Sequence, residues 1–380
     1  MKRKKILILC PFPQGVAAGQ RFKYEQFLDH WRENGYDIEV SSFMDEKLWE
    51  VAYKQGHYIA KVLGALRGYG QRFRDMRRVW DFDIVYVFMW VTPFGTSMFE
   101  RFTRRFAKSL VYDVEDRIYV ELESELLKRT SPNRVAQLLR NPRKARYLIQ
   151  EADHVIAASP FIANDCKELN RHHAATCIPP SIDTDRLVPR TVDEERQKVT
   201  IGWTGTFSTK TYLDSLRPIL RRLAERRDFR LLVIGDFDYR VEGIDLKVVR
   251  WSADREVQDL QEIDIGIYPL PMDDDWVLGK SGLKAMQYMA VGVPIVATNV
   301  GSTPTVVKHG RDGLLVETED HWLEALEQLI DDPQLRRRFG SNGRQTVIEN
   351  YSIRTARQKY LAILDYVAVG SNERVEQSAT

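Results

Sequence analysis

GKSGLKAMQYMAVGVPIVAT, residues 279–298, is the stretch that decides the fold. A glycine-containing turn runs into an apolar helical segment, and that segment runs into the buried strand pattern VPIVAT (293–298). Ser281, Gly282 and Leu283 open the helix. Their backbone N–H groups have no partner within it, so together with the helix dipole they form a seat for an anion. Gly282 permits close approach, and Lys280 and Lys284 add positive charge. Two readings fit the stretch alone: a seat for the diphosphate of a nucleotide-activated substrate, or an ordinary α/β crossover with a glycine turn.

The same alternation extends in both directions. In the first half KILILC (5–10), YDIEVSSF (36–43), DIVYVF (83–88), SLVYDV (109–114), HVIAAS (154–159) and ATCIPP (175–180) read as strands separated by helical patterns, one of them from about Gln20 to Asn34. The series restarts with KVTIGWTG (198–205), FRLLVIG (229–235), LKVVRW (246–251), IDIGIYPL (263–270) and VPIVAT, with a helix over about 212–226. Short apolar strands alternating with helices predict doubly wound parallel sheets, here two of them. The polar, charged segment 182–198 reads as a linker between an N-terminal domain (1–181) and a C-terminal domain (199–350). DHWLEALEQLI (320–330) and about 333–349 are helical. A last helix over 351–370, with Ser352 as a candidate cap, returns toward the N-terminal domain, and the final residues read as frayed. Two such domains predict a cleft, with ligands at the carboxyl ends of the strands.

Composition narrows the function classes. The 380 residues are 43% hydrophobic and 29% charged, as in a soluble globular protein of two domains. Fifty-six basic and 54 acidic residues leave a net charge of +2, which does not indicate a nucleic-acid binder. No apolar run is long enough to span a bilayer, and MKRKKILILCPFPQG reads as a first strand rather than a signal peptide. Cys10, Cys166 and Cys177 have no metal spacing and point to a reducing, cytoplasmic setting.

VGVPIVATNVGSTPTVVKHGRDGLLVE (291–317) resembles the C-terminal domain of the GT-B glycosyltransferases, in particular the retaining family 4, or group 1, enzymes. IPPSIDTDRL (178–187) is similar to that family's linker motif, and DDPQLRRRFGSNGRQTVIENYS (331–352) to its C-terminal helices. The resemblance implies a GT-B fold of two Rossmann-like domains and a nucleotide-sugar donor, UDP- or GDP-linked, in the C-terminal one. It also implies a hydroxyl acceptor in the N-terminal domain, retention of configuration, and no metal or other cofactor. Family members carry two glutamates in the motif before and within the dominant helix. Here Gly279 and Gln287 stand in those places, so Gln287 is the candidate for the nucleotide ribose. The family's basic pair after the first strand of this domain is also altered. The loop is Gly205-Thr206-Phe207-Ser208-Thr209-Lys210, and Lys280 and Lys284 are placed to supply the missing charge.

The diphosphate candidates are therefore Lys280, Ser281, Gly282 and Leu283, with Gly205, Thr206 and Lys210 opposite; the structural alternative at 205–210 is a turn capped by Ser208 or Thr209. In PFPQGVAAGQRFK (11–23), Gly15, Gly19 and Arg21 are candidates for a loop over donor and acceptor, or else for a flexible connector. In VYDVEDR (111–117), the carboxylates Asp113, Glu115 and Asp116 end a strand, where they must be solvated, paired or used in catalysis. In many family members a histidine-containing turn occupies this place, and Glu115 replaces it here. Asp273–Asp275 read as solvated loop residues rather than metal ligands. FERFTRRFAK (99–108) is basic and amphipathic, and fits either peripheral membrane contact or a helix packed on its sheet. The alternatives to a transferase are a nucleotide-sugar-binding partner subunit without turnover, which the missing glutamate motivates, and a nucleotide-sugar epimerase.

Overall fold

The computed structural model describes residues 3–121, 141–191 and 198–378; residues 192–197 of the segment read as a linker and the last two of those read as frayed lie outside them. The chain forms two compact units, 1–181 with 353–380, and 182–352.

The first unit is built on a six-stranded parallel sheet: β1 (Lys4–Cys10), β2 (Tyr36–Ser42), β3 (Ile84–Phe88), β4 (Leu110–Val114), β5 (His154–Ala157) and β6 (Ala175–Cys177), in the order β2-β1-β3-β4-β5-β6. Its inner strand β3 is apolar and buried along its whole length because helices cover both faces, whereas the edge strand β2 exposes Asp37 and Glu39. On one face Tyr24, Trp31, Tyr86 and Tyr360 pack together, the last from the helix Ile353–Ser378. The chain thus returns to complete the core of its first unit with residues that come after the second. That helix runs to Ser378, into the final residues read as frayed.

The second unit repeats the plan with β7 (Val199–Thr204), β8 (Phe229–Ile234), β9 (Asp245–Val249), β10 (Ile265–Tyr268), β11 (Ile295–Thr298) and β12 (Gly313–Val316), ordered β12-β11-β10-β7-β8-β9. The strand order reverses between β7 and β10, and the carboxyl ends of strands beside such a point are where α/β sheets bind ligands. β12 was not among the expected strands: GLLV has only four residues and follows a glycine turn, too short to carry its own period.

Three segments differ from expectation for visible reasons. The segment after the first loop breaks into Ala18–Phe22, a 3-10 turn at Glu25–Phe27, and Leu28–Glu33. The breaks let Phe22, Tyr24, Phe27 and Trp31 all be buried. The expected helix over 212–226 is two helices, Lys210–Asp214 and Arg217–Ala224, because Pro218 cannot donate to a preceding turn and instead begins the second. Residues 182–191 are folded rather than a loose connector, with Ile182 and Leu187 buried and Ile182 bridged to Ser352.

Candidate functional site

In the second unit the 3-10 turn Asp275–Gly279 leads through Lys280 and Ser281 to Gly282, and the helix Leu283–Ala290 follows. Asp274 caps the 3-10 turn by accepting from the Trp276 N–H at 2.9 Å, so one of the three consecutive aspartates serves the backbone. Gly282 has φ of +77°, in the left-handed region, and a Cβ there would stand 3.0 Å from Val306. Glycine is required for both reasons. No side chain caps the helix Leu283–Ala290, so its first N–H groups face outward from the turn without a side-chain acceptor.

The loop after β7 lies against this turn. Thr206 caps the turn Phe207–Thr209 in a reciprocal arrangement with Thr209, whose Oγ1 accepts from the Thr206 N–H at 3.1 Å. Thr206 is thus the cap of this turn, and Thr209 holds the cap position of the helix Lys210–Asp214 without a side-chain cap hydrogen bond. Lys284 Nζ donates to Thr209 Oγ1 at 3.2 Å and sits 4.7 Å from the centre of the Trp203 ring. Gly205 is pinned between the two: a Cβ there would fall 2.1 Å from the Trp203 ring, which is itself buried in the core. Tyr288 completes the link, its hydroxyl accepting from the Thr204 N–H at 2.7 Å while its ring occupies space left by Gly266 in β10.

The result is a small cationic corner. Burial, with the like charge of Lys280 second, pushes the Lys284 ammonium down to about 7. An anion placed in this corner would act against both causes and favour the charged ammonium. Lys280 Nζ lies 5.3 Å over the buried Trp276 ring, which anchors the loop and holds the cation beside the turn. Lys280, Ser281, Gly282 and Leu283 therefore share one turn, and Gly205 and Thr206 join them through Lys284. Lys210 points elsewhere, to 5.8 Å from the Tyr239 ring.

Gln287 is on the same helix, buried, and its Nε2 donates to Glu256 Oε1 at 3.3 Å. Glu256 is buried too, and receives Arg186 at 3.1 Å and Trp251 Nε1 at 3.4 Å. A carboxylate thus stands beside the glutamine that replaces a family glutamate. Sequence reasoning missed it, because Glu256 is 31 residues away and begins an unremarkable short helix.

In the first unit, the loop after β1 is braced. Gln20, fully buried, accepts from the Phe12 N–H at 3.0 Å, and its Nε2 donates to Phe12 O at 3.1 Å and to Glu25 at 2.8 Å. Gly15, at φ +80°, donates its N–H to Glu25 Oε2 at 3.0 Å. Gly19 lies against Glu115: a Cβ on it would stand 2.0 Å from Glu115 Oε2. The first loop and the acidic turn after β4 therefore meet at Gly19 and Glu115, with Arg21 on the same short helix, its guanidinium 5.4 Å from the Phe22 ring. Asp116 is half-buried in the turn beside them, its carbonyl accepting from the Ile118 N–H at 2.7 Å.

Asp113 is different from its two neighbours. It is fully buried, with Lys23 Nζ at 3.1 Å, itself fully buried, and the Tyr86 hydroxyl donating a short hydrogen bond. Burial raises its carboxyl above the usual range, opposed chiefly by Lys23. Of the three choices open to a carboxylate at a strand end, Asp113 is paired. Among the described residues no group of three or more His, Cys, Asp or Glu is arranged to hold a metal ion.

The helix Met98–Phe106, read as a candidate membrane segment, turns Phe99 and Phe102 against the core and pairs Arg104 with Asp153 at 3.3 Å. No described helix is long and apolar enough to cross a membrane.

Residues 198–332 match the family model described as glycosyl transferases group 1. The chain is 29% identical over 232 residues to a D-inositol 3-phosphate glycosyltransferase of Corynebacterium jeikeium, covering 51% of this chain and 52% of that protein. It is 27% identical over 221 residues to an N-acetyl-alpha-D-glucosaminyl L-malate synthase of Bacillus anthracis, covering 54% and 58%. The chain spans about half the length of these curated relatives. Among solved structures, sucrose-phosphate synthase of Thermosynechococcus elongatus superposes with a TM-score of 0.69 at 14% identity, covering 100% of both chains. Anabaena HepE, in complex with UDP and glucose, superposes with a TM-score of 0.65 at 16% identity, covering 96% of this chain and 100% of that one. At such identities the structural likeness is one of fold, and that fold is GT-B. Residues 198–332 thus match the group 1 glycosyltransferases, and the fold of the chain is GT-B.

Proposed function

We propose that the protein transfers a sugar from a nucleotide-sugar to a hydroxyl acceptor, with retention of configuration and without a metal. The observation that carries this reading is the cationic corner at the point where the strand order of the second unit reverses. An uncapped helix N-terminus, the Gly282 turn and Lys284 converge there. A diphosphate supplies the anion. Lys280 and the N–H groups at Gly282 and Leu283 hold it on one side, and the turn at Gly205 and Thr206 on the other. Gln287, oriented by Glu256, offers its amide oxygen to ribose hydroxyls. The structures of HepE hold UDP and UDP-glucose, which supports a uridine donor here.

In the first unit Glu115 and Asp116 are the carboxylates assigned to work on the acceptor or on developing positive charge at the sugar. Gly19 lies against Glu115, and Arg21 is on the same short helix as Gly19. Asp113 has a structural role through Lys23. Hydrogen bonds and cations at the leaving diphosphate stabilise the charge that develops as the glycosyl bond breaks, which is the work a metal would otherwise do. Contact with the cytoplasmic face of a membrane, where lipid-linked acceptors reside, is part of the same reading.

The test is a panel of UDP-, GDP- and ADP-sugars assayed for hydrolysis and transfer. At least one is expected to turn over, and a UDP-sugar before the others. Binding without turnover would point instead to a partner subunit; an epimerised sugar in the absence of acceptor would point to an epimerase; the absence of both binding and turnover would end the enzyme reading.

A further inference from the structure

The helix Tyr58–Met76 is turned inside out. Its buried face carries Gly64 and Gly68, where added Cβ atoms would stand 2.8 Å from Leu48 and 2.6 Å from the Phe43 carbonyl. The same face carries Arg72, fully buried, whose guanidinium donates to Cys10 O and Val91 O at 2.7 Å each and pairs with Asp75 at 2.9 Å. The helix is therefore seated by glycines and a buried arginine. Its large apolar residues face out: Tyr58, Ile59, Val62, Leu63, Leu66 and Phe73 are all exposed, Ile59 by 79% and Leu66 by 62%. At about 100° per residue these six fall within an arc of roughly 140°. Phe73 meets Phe99 at 5.8 Å between centroids, so the apolar surface continues toward the neighbouring helix.

Charge decides what covers it. Across residues 51–80 the only acidic residue is Asp75, which is buried and paired with Arg72. Lys54, Arg74 and Arg77 are exposed and Lys61 is half-exposed; Arg67, at the edge of the stripe, is held by Asp45 at 2.8 Å. A second copy bringing the same face would set these cations against one another. A bilayer with anionic headgroups accepts both the apolar stripe and its basic margins.

We propose that the face of the helix Tyr58–Met76 is a membrane-docking surface that lies in the interface of an anionic bilayer. It rests on the membrane contact proposed above and assigns that contact to this helix rather than to Phe99–Lys108, whose phenylalanines are largely turned inward.

The test is flotation of the full chain with phosphatidylcholine vesicles, with and without phosphatidylglycerol. The wild type is expected to float with the anionic vesicles at least ten-fold more than with the neutral ones, and to be released by raising the salt to about 0.5 M. Leu63→Asp with Leu66→Asp is expected to cut flotation at least ten-fold. Because both side chains are exposed, the melting temperature and UDP binding stay unchanged. Absence of flotation by the wild type, or flotation of the double variant equal to wild type, overturns the proposal. So does a shift from dimer to monomer in the double variant without any vesicle binding by the wild type, which would make the face a contact between copies. A wild type that floats but binds no nucleoside diphosphate overturns the donor reading and leaves this one standing.

Discussion

Lys284→Met is expected to weaken binding of the nucleoside diphosphate by about 10- to 100-fold, as loss of a hydrogen-bonded charge contact of ~1.5–3 kcal/mol requires. Methionine keeps the apolar stem against Trp203 and removes only the ammonium. The free protein responds the other way. Lys284 is held at about 7 in the folded chain against 10.5 ordinarily. Between those values the unfolded chain binds a proton that the folded chain has released, so this residue makes stability rise with pH across that window. Removing it therefore stabilises the free protein near neutral pH while weakening the complex. A structural lysine would lose stability when replaced, so the two directions together identify a binding group. The pH dependence sharpens the point. An anion beside Lys284 raises its pKa, so binding takes up a proton above pH 7. Affinity is expected to fall as pH rises from 7, approaching ten-fold per unit, and to be flat over that range in Lys284→Met. Calorimetric titration of UDP at several pH values, beside melting curves without ligand, measures both effects. Equal slopes in the two proteins would remove Lys284 from the site.

Lys23→Met is expected to have the largest effect on stability. Lys23 and Asp113 are both fully buried, 3.1 Å apart, at the junction of the first loop and β4. Removing one partner of such a pair leaves a buried carboxylate uncompensated and costs about 3–5 kcal/mol. For a unit of this size that lowers the melting temperature by roughly 10 °C. Adding Asp113→Leu is expected to restore much of the loss, since the buried charge goes with it; the Tyr86 hydroxyl then lacks its acceptor and keeps the recovery partial. Thermal unfolding of the two variants checks this. A single variant as stable as wild type would show that the pair does not hold the first unit together, and would return Asp113 to the candidates for chemistry.

The fold was legible because its signals are local. Runs such as KILILC and FRLLVIG are apolar on both faces, which only a covered parallel sheet requires, and the turn into Leu283–Ala290 carries its own glycine. Boundaries were less legible where tertiary packing overrides period, as between Ala18 and Glu33, where four aromatic residues enter the core by breaking the helix. The site was legible in part. Gly282 and Lys284 announce themselves within one motif, and Gly205 stands at the end of a strand. Glu256 and Lys23 do not, because their partners Gln287 and Asp113 lie 31 and 90 residues away and no spacing rule connects them. Asp113, Glu115 and Asp116 look alike in sequence. Alternation along the strand turns Asp113 into the sheet's core, while the other two lie in the turn that follows. The exposed face of Tyr58–Met76 was hidden for a related reason: periodicity reveals that a helix has an apolar stripe, and only packing shows which way the stripe faces.

The central claim is that the corner formed by Gly205–Thr209 and Lys280–Lys284 holds the donor diphosphate. Its most direct test is a crystal structure of the protein with UDP. The account predicts the β-phosphate within hydrogen-bonding distance of the N–H groups at Gly282 and Leu283 and of Lys284 Nζ, with the ribose at Gln287. UDP bound elsewhere, or a corner left empty at saturating UDP, would contradict it.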